Sequence, residues 1–518
     1  MDLNSILIKL IQLLKLENYE DKIIGLIDFK SLVLIAIYIS IVGLITVYCS
    51  YLIFTNTKKI KEILVNFNRD QVNTINKIYK NKIYLLFLIP FLITLYLAFY
   101  LPITYDEAFT FVNFINRGIG VSISFYPAPN NHVLYSVVSS FLNFLNFENI
   151  FPFRLISIIF LILSLFMVTK ILIEDSKKIK NYYFLLLSIF PFTLVYVYQS
   201  SLARGYSLLV FFTLINIYLL KKILRNNDNK HLLTFSFFSA LAFYTIPSYF
   251  YSHLIFCIIL LWKNNFLSFL IKSNLSILFF SLIFYFPIII FQGFDFIFQN
   301  NLIEKIDYNE FYLFINKAKF ILENEIFGIS IFFLLALLLI SFYFYIRIKK
   351  VKVFFILLSI IIITIFLPYL MKSVAPGRTL QLIYILTPIM IFFPLKNFVE
   401  KFSKKKIIFI CLLMQIILSI NILNNIPQEK YSLRAEEYSK SILINDGTYF
   451  SCSSLFDPLF LYYIVKNEAK INKLQLSENV MCDSKDSKNF DWVIIDKIRD
   501  KSLRKPNLQS LTWNFYKN

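Results

Sequence analysis

The residues best suited to chemistry in this chain lie in short polar stretches, each beside an apolar run. Thr104-Tyr105-Asp106-Glu107-Ala108 supplies two adjacent carboxylates, and Pro127-Ala128-Pro129-Asn130-Asn131-His132 closes the same loop. Ser200-Ser201-Leu202-Ala203-Arg204-Gly205-Tyr206 and Lys372-Ser373-Val374-Ala375-Pro376-Gly377-Arg378 supply cations on two further turns. A carboxylate can take a proton from a nucleophile, and fixed cations can stabilise phosphate charge. Together, at a water–lipid boundary, they suit a reaction on an anionic lipid substrate. Asp106 and Glu107 would point about 100° apart on a helix, so the two serve different tasks. Taken singly, each residue also has a plainer reading. The acids suit a solvated loop, His132 a helix cap, and Arg204 and Arg378 lipid headgroups at the membrane boundary. The combination says more than any member.

The elements that must position these residues are apolar. Of the 518 residues, 58% are hydrophobic and only 16% charged, where a soluble globular chain has about 25% charged. Apolar runs long enough to span a bilayer, or nearly so, cover 31–53, 83–101, 153–173, 183–199, 206–220, 231–247, 248–262, 274–291, 327–346, 353–370, 379–395 and 407–423. Prolines sit mostly at the ends of these runs, as in Phe151-Pro152 and Leu367-Pro368, where they stop a helix without orphaning backbone groups in hydrocarbon. The expected fold is an all-α polytopic membrane bundle of about 12 spans (31–423). An amphipathic segment (1–30) precedes it, and a small polar α/β domain (424–518) follows.

The formal charge of +20 does not indicate nucleic acid, because the cations alternate with apolar spans instead of forming one patch. Connections 55–82, 174–182, 221–230, 263–273, 347–352 and 396–406 hold about 25 Lys and Arg, against about seven on the connections 102–152, 200–205, 292–326 and 371–378. Basic connections belong in the cytoplasm, which turns 102–152, 200–205, 292–326, 371–378 and the tail outward. Within the two long outward loops, His132–Phe147 reads as an interfacial helix and Phe311–Leu322 as an amphipathic lid over a cavity. In the tail, Cys452 and Cys482 are candidates for a disulfide closing a loop of about 30 residues, with two free thiols as the alternative. Cys49, Cys257 and Cys411 fall in or near apolar runs, and no Cys-x-x-Cys marks a zinc or redox site. Residues 1–30 carry no signal-peptide pattern.

The order of these features resembles the GT-C glycosyltransferases, nearest to the protein O-mannosyltransferase and lipid A aminoarabinose transferase branch. The resemblance is carried by Asp106-Glu107-Ala108, Asn131-His132-Val133-Leu134-Tyr135, Ala203-Arg204-Gly205-Tyr206 and Pro376-Gly377-Arg378 with Tyr384 and Pro388 downstream. It covers roughly 83–395 as an order of short motifs. The sequence departs from the branch's pattern in Val133-Leu134, where prolines follow the histidine, and in Arg378-Thr379, where Arg-Tyr is usual. The resemblance implies a sugar donor linked to polyprenyl phosphate and a lipid, glycan or protein acceptor on the outer face of the plasma membrane. It gives Asp106 the role of base in an inverting attack and Glu107 that of orienting the acceptor or the loop. Arg204, Arg378 and Lys372 become holders of the phosphate leaving group, with His132, Asn131 and Tyr206 beside the substrate. A divalent metal is compatible with this scheme, but no ligand set requires one. The competing classes are a lipid or glycan transporter or flippase, an O-antigen polymerase or ligase, and a membrane anchor for the tail domain. A transporter is expected to carry ionisable groups at depth and often inverted repeats. His253 is the one obvious titratable group in the middle of an apolar run, and no repeat is evident.

Overall fold

The computed structural model describes residues 71–426, apart from 127–130, 146, 148, 175–179, 227–228, 263–266 and 294–304, together with Tyr462 and five strands near the C-terminus. The expected amphipathic segment 1–30, the run 31–53 and the pair Cys452 and Cys482 lie outside the described residues.

Every apolar run within 71–426 forms helix. Six helices are long and apolar enough to cross a membrane: Phe151–Ile173, Tyr206–Arg225, Leu267–Gln292, Val351–Leu370, Gln381–Val399 and Lys404–Asn425. Three further spans arise if each bent helix pair counts as one, giving up to nine among the described residues. The expectation of about 12 spans is therefore too high for the part described. Leu232–Thr245 and Tyr249–Trp262 have 14 residues each. At 1.5 Å per residue each is about 21 Å long, short of a core of about 30 Å. Pro247, in the three-residue break between them, explains why they are not one element.

The bent pairs have local causes. Asn181–Ile189 and Leu194–Ser200 meet at 67° across Phe190-Pro191-Phe192-Thr193, where proline removes a backbone donor. Gln71–Lys80 and Leu85–Tyr100 meet at 95°, with Lys82 in the left-handed region (φ 59°) at the corner. Tyr308–Phe327 and Ile331–Arg347 meet at 80°, where left-handed Gly328 (φ 64°) ends the first helix and the Ser330 side chain caps the second. At the opposite end of the scale, Phe151–Ile173 runs unbroken for 23 residues with Pro152 in its first turn, the position a helix tolerates best.

Several apolar cores join these helices, two of them extensive. One packs Phe153, Ile156, Leu208, Leu209, Tyr249 and Phe256 beneath the Asp106 loop, and the other packs Leu161, Leu165, Val210, Ile383, Tyr384 and Cys411. Buried amides bind helices together at depth: Gln415 Nε2 donates to Leu86 O at 2.9 Å and Ser188 O at 3.3 Å, tying three helices at one point. The amphipathic segment after residue 310 turns Phe314, Ala318, Ile321 and Leu322 onto Ile365 and Pro368, around an apolar cavity of about 10 Å³. That is about the room one water needs, so the cover encloses no ligand chamber there.

Beyond Asn425 the described backbone comprises β1 (Gly447–Ser451), β2 (Ile471–Leu476), β3 (Trp492–Asp496), β4 (Leu508–Gln509) and β5 (Trp513–Lys517), in the order β2-β1-β3-β5-β4. β1 runs parallel to β2 and β3, while β5 runs antiparallel to β3. Most of 424–518, and with it the expected α/β domain, lies outside the described residues.

Candidate functional site

The loop after Leu85–Tyr100 turns back into a six-residue helix, Tyr105–Thr110, because Thr104 forms a complete capping box with Glu107. The Glu107 amide donates to Thr104 Oγ1 at 3.2 Å, and the Thr104 amide donates to Glu107 Oε2 at 2.9 Å. Such a reciprocal cap fixes the first turn of a helix. It therefore fixes the direction of Asp106, one residue earlier.

Glu107 is fully enclosed, and Arg154 is 1% exposed. Arg154 Nε donates to Glu107 Oε1 at 2.8 Å and Nη2 to Oε2 at 2.7 Å, a two-pronged fit of guanidinium to carboxylate. The remaining Arg154 donors reach Ala98 O, Leu101 O and Pro102 O at 2.7–2.9 Å. Glu107 Oε1 also accepts from the Ala203 amide at 2.6 Å. Both oxygens of Glu107 are thus engaged, and the residue welds the Asp106 helix to Phe151–Ile173 and to the 200–205 turn. Its contacts make it a support for the loop.

Asp106 is partly exposed and faces the cations. Its Oδ2 accepts from Arg378 Nη1 at 3.1 Å and lies 3.5 Å from Arg204 Nη2. Arg204 is anchored from the other side, its Nη1 donating to Asp106 O and Thr110 Oγ1 at 2.9 Å each. The Tyr206 ring forms a floor under both guanidiniums, with Cζ of Arg204 and Arg378 at 5.8 and 5.5 Å from its centroid, within cation–π range. Tyr206, Asp106 and Glu325 hold the Arg378 guanidinium charged, its pKa above the usual range despite burial. Arg378 Nε is a buried donor with no hydrogen-bond partner among the described residues.

His132 completes the cluster. The Gly205 amide donates to His132 Nδ1 at 2.8 Å, and Arg204 Nη2 lies 3.2 Å from Nε2. Burial first, then Arg204 and Arg378, push the imidazole pKa well below its ordinary value, so the ring is neutral. A neutral imidazole offers one N–H and one acceptor nitrogen, while the Gly205 amide at Nδ1 and Arg204 Nη2 at Nε2 both bring donors to it. Gly205 is required here, since a Cβ would meet His132 Cβ at 2.9 Å.

Asn131 and Lys372 stand apart from this group. The Asn131 amide donates to Phe125 O (2.9 Å) and Ser122 O (3.3 Å), and its oxygen accepts from Ser136 (2.8 Å). It shapes the loop entry. Lys372 is exposed, left-handed (φ 53°), and sits over the Tyr308 ring at 5.0 Å. Two residues escape sequence reasoning altogether. Arg154 is one, and its signal is a lone arginine in the first turn of an apolar run. Glu325 is the other: its Oε2 accepts from the Gly377 amide at 2.7 Å, capping the turn that bears Arg378. Gly377 lies so close that a Cβ would meet Ile326 Cγ1 at 2.8 Å.

Asp106, Arg204, Arg378, His132 and Tyr206 are thus brought together from segments up to 272 residues apart. Among the described residues no group of three His, Cys, Asp or Glu side chains could hold a metal ion. Compared with known proteins, the chain matches no family model and no curated protein.

Proposed function

We propose that this chain is a membrane glycosyltransferase that moves a sugar from a polyprenyl-phosphate donor to a lipid, glycan or protein acceptor. In this reading the site faces the outside of the plasma membrane, beside an extracytoplasmic C-terminal domain. The observation that carries it is the meeting of one carboxylate with two arginines, one of which keeps a buried donor without a partner. The cluster sits where helices built for lipid give way to loops, and a lipid-linked phosphate has to be read at such a place. The resemblance of the same residues to the GT-C pattern points the same way.

The chemistry follows from the geometry. Without substrate, the guanidiniums of Arg378 and Arg204 are shared with Asp106. An arriving phosphate brings competing negative charge, draws on the same donors, and frees the Asp106 carboxylate to accept a proton. The acceptor nucleophile attacks the anomeric carbon from the face opposite the phosphate, and its proton passes to Asp106. As the new bond forms, the bond from the anomeric carbon to the phosphate oxygen breaks and its electron pair stays on the phosphate. Fixed cations contribute most at that moment, because the leaving group gains charge. Glu107 and Arg154 keep the base aimed and take no part in the bond changes.

The test is glycosyl transfer by the purified full chain in detergent, with a panel of polyprenyl-phosphate sugars and membrane extract as the acceptor source. Asp106→Asn is expected to lower release of polyprenyl phosphate by about 10²–10⁴-fold, the usual contribution of a positioned base, without unfolding the protein. Release that persists in Asp106→Asn would remove Asp106 as the base. If no donor is consumed by the wild-type protein, the transferase reading gives way to a transporter.

A further inference from the structure

The segment Lys305–Phe327 is joined to the Arg378 turn at several points. Lys305 and Ser373 form an antiparallel bridge, and the Ile306 amide donates to Lys372 O at 3.0 Å. The Tyr369 hydroxyl donates to Tyr308 O at 2.7 Å, and the Tyr308 hydroxyl donates to Leu370 O at 3.0 Å. At the far end Glu325 caps Gly377. The inner face of this segment is therefore accounted for. Its outer face is mostly apolar, with Asn316 and Lys319 the polar side chains exposed on it within 311–320. Tyr308, Phe311, Tyr312, Leu313, Ile315 and Phe320 are all exposed, Tyr312 to 79%.

Three observations say what covers that face. First, the segment meets the span Ile331–Arg347 at 80°. If the span crosses the bilayer, the segment runs nearly parallel to the membrane plane. Second, its apolar face is continuous with the face the spans turn to lipid. Lys319 Nζ lies 5.6 Å over the ring of Phe332, which opens that span and is 74% exposed, and Phe311 stacks on Phe366 of the next span at 6.2 Å. Third, its polar groups lie where an interface wants them. An exposed capping box of Asp307 and Glu310 starts it, and Lys317 and Lys319 close the helix Phe311–Phe320. Charges so placed are costly within hydrocarbon and cheap at its border, and aromatic side chains favour that border.

We propose that Phe311–Phe320 is a docking surface for the bilayer itself. It lies in the headgroup–acyl boundary on the side where the Arg378 turn stands, with Tyr312 and Ile315 dipping toward the acyl chains. The segment's contacts with residues 369–377 then set the depth of the Arg378 turn against the lipid surface, placing it level with headgroup phosphates. This inference stands on the geometry of the segment and does not depend on the transferase reading.

The test places a fluorescent reporter on the exposed face. The full chain carrying Tyr312→Trp, and separately Ile315→Trp, is reconstituted into phosphatidylcholine vesicles brominated at a shallow or a deep acyl position. The wild-type signal from Trp262, Trp492 and Trp513 is subtracted. Leu339→Trp, on the exposed face of the span, serves as the deep reference. A helix buried about 5–10 Å into the boundary should show at least about twofold stronger quenching by the shallow bromolipid, while the reference shows the reverse. Quenching by aqueous iodide alone would put the face in water and overturn the proposal. Quenching by neither agent would mean that protein covers it, and a preference for the deep bromolipid would make it part of a span. Either result also overturns the proposal.

Discussion

Removing both members of the Glu107–Arg154 pair should cost clearly less than the sum of removing each alone. The two side chains are 0% and 1% exposed, joined by two bonds of 2.8 and 2.7 Å, in a region where water cannot replace a lost partner. Breaking a buried pair typically costs about 3–5 kcal/mol, because the surviving charge is left uncompensated. Glu107→Gln leaves the Arg154 charge and keeps one carbonyl to accept from Ala203 or Thr104. Arg154→Met leaves the Glu107 carboxylate and also orphans Ala98 O, Leu101 O and Pro102 O. Each single variant is therefore predicted to lose about 3–5 kcal/mol, with Arg154→Met at the upper end. The double variant should recover at least about 2 kcal/mol relative to the sum, the signature of coupled neighbours. The assay is thermal unfolding of purified protein in detergent, followed by labelling of buried Cys411 with a thiol-reactive dye. Single variants within about 1 kcal/mol of wild type, or strictly additive losses, would refute the claim that this pair holds the loop.

Three further outcomes are expected. Because the folded His132 pKa lies well below its usual value, the unfolded chain takes up a proton there that the folded chain does not. His132 therefore contributes stability that is present above about pH 6.5 and lost as pH falls below it; His132→Gln should flatten that part of a stability–pH curve. Glu325→Ala should speed hydrogen exchange at the Gly377 amide and destabilise by about 1–3 kcal/mol, whereas Glu325→Gln, which keeps an acceptor, should restore protection. Equal protection in wild type and Glu325→Ala would sink the capping role. Gly377→Ala, whose Cβ would lie 2.8 Å from Ile326 Cγ1, should cost about 1–3 kcal/mol by overpacking, and unchanged thermal unfolding would show that the neighbour yields freely.

The helices were legible because periodic apolarity is a local property. The runs around Phe151–Ile173 and Lys404–Asn425 announce themselves whatever surrounds them. The count of spans was less legible. The division at Pro247 was readable as two runs, 231–247 and 248–262, but apolarity alone did not reveal that each yields a helix of only 14 residues, or that Pro191 bends another run by 67°. Within the site, Asp106, Arg204, His132 and Arg378 stood out because charge beside an apolar run is costly and therefore conspicuous. Asn131 stood out only as a polar neighbour of His132, and its amide serves the loop. Arg154 was hidden by its position inside an apolar run, where its partner 47 residues away cannot be read from spacing. Glu325 was hidden by distance too, since its bond to Gly377 crosses 52 residues and exists only because glycine admits the close approach.

The burial of Arg154 has a consequence for how the chain is made. Its guanidinium draws on groups that all precede it in the chain, the carbonyls of residues 98, 101 and 102 and the Glu107 carboxylate. Every partner has therefore already been synthesised when the helix beginning at Phe151 emerges. An unpaired arginine beside hydrocarbon is costly, and here the earlier helix and its loop already hold every group that relieves it. Order of synthesis thus matches the order in which these contacts can form.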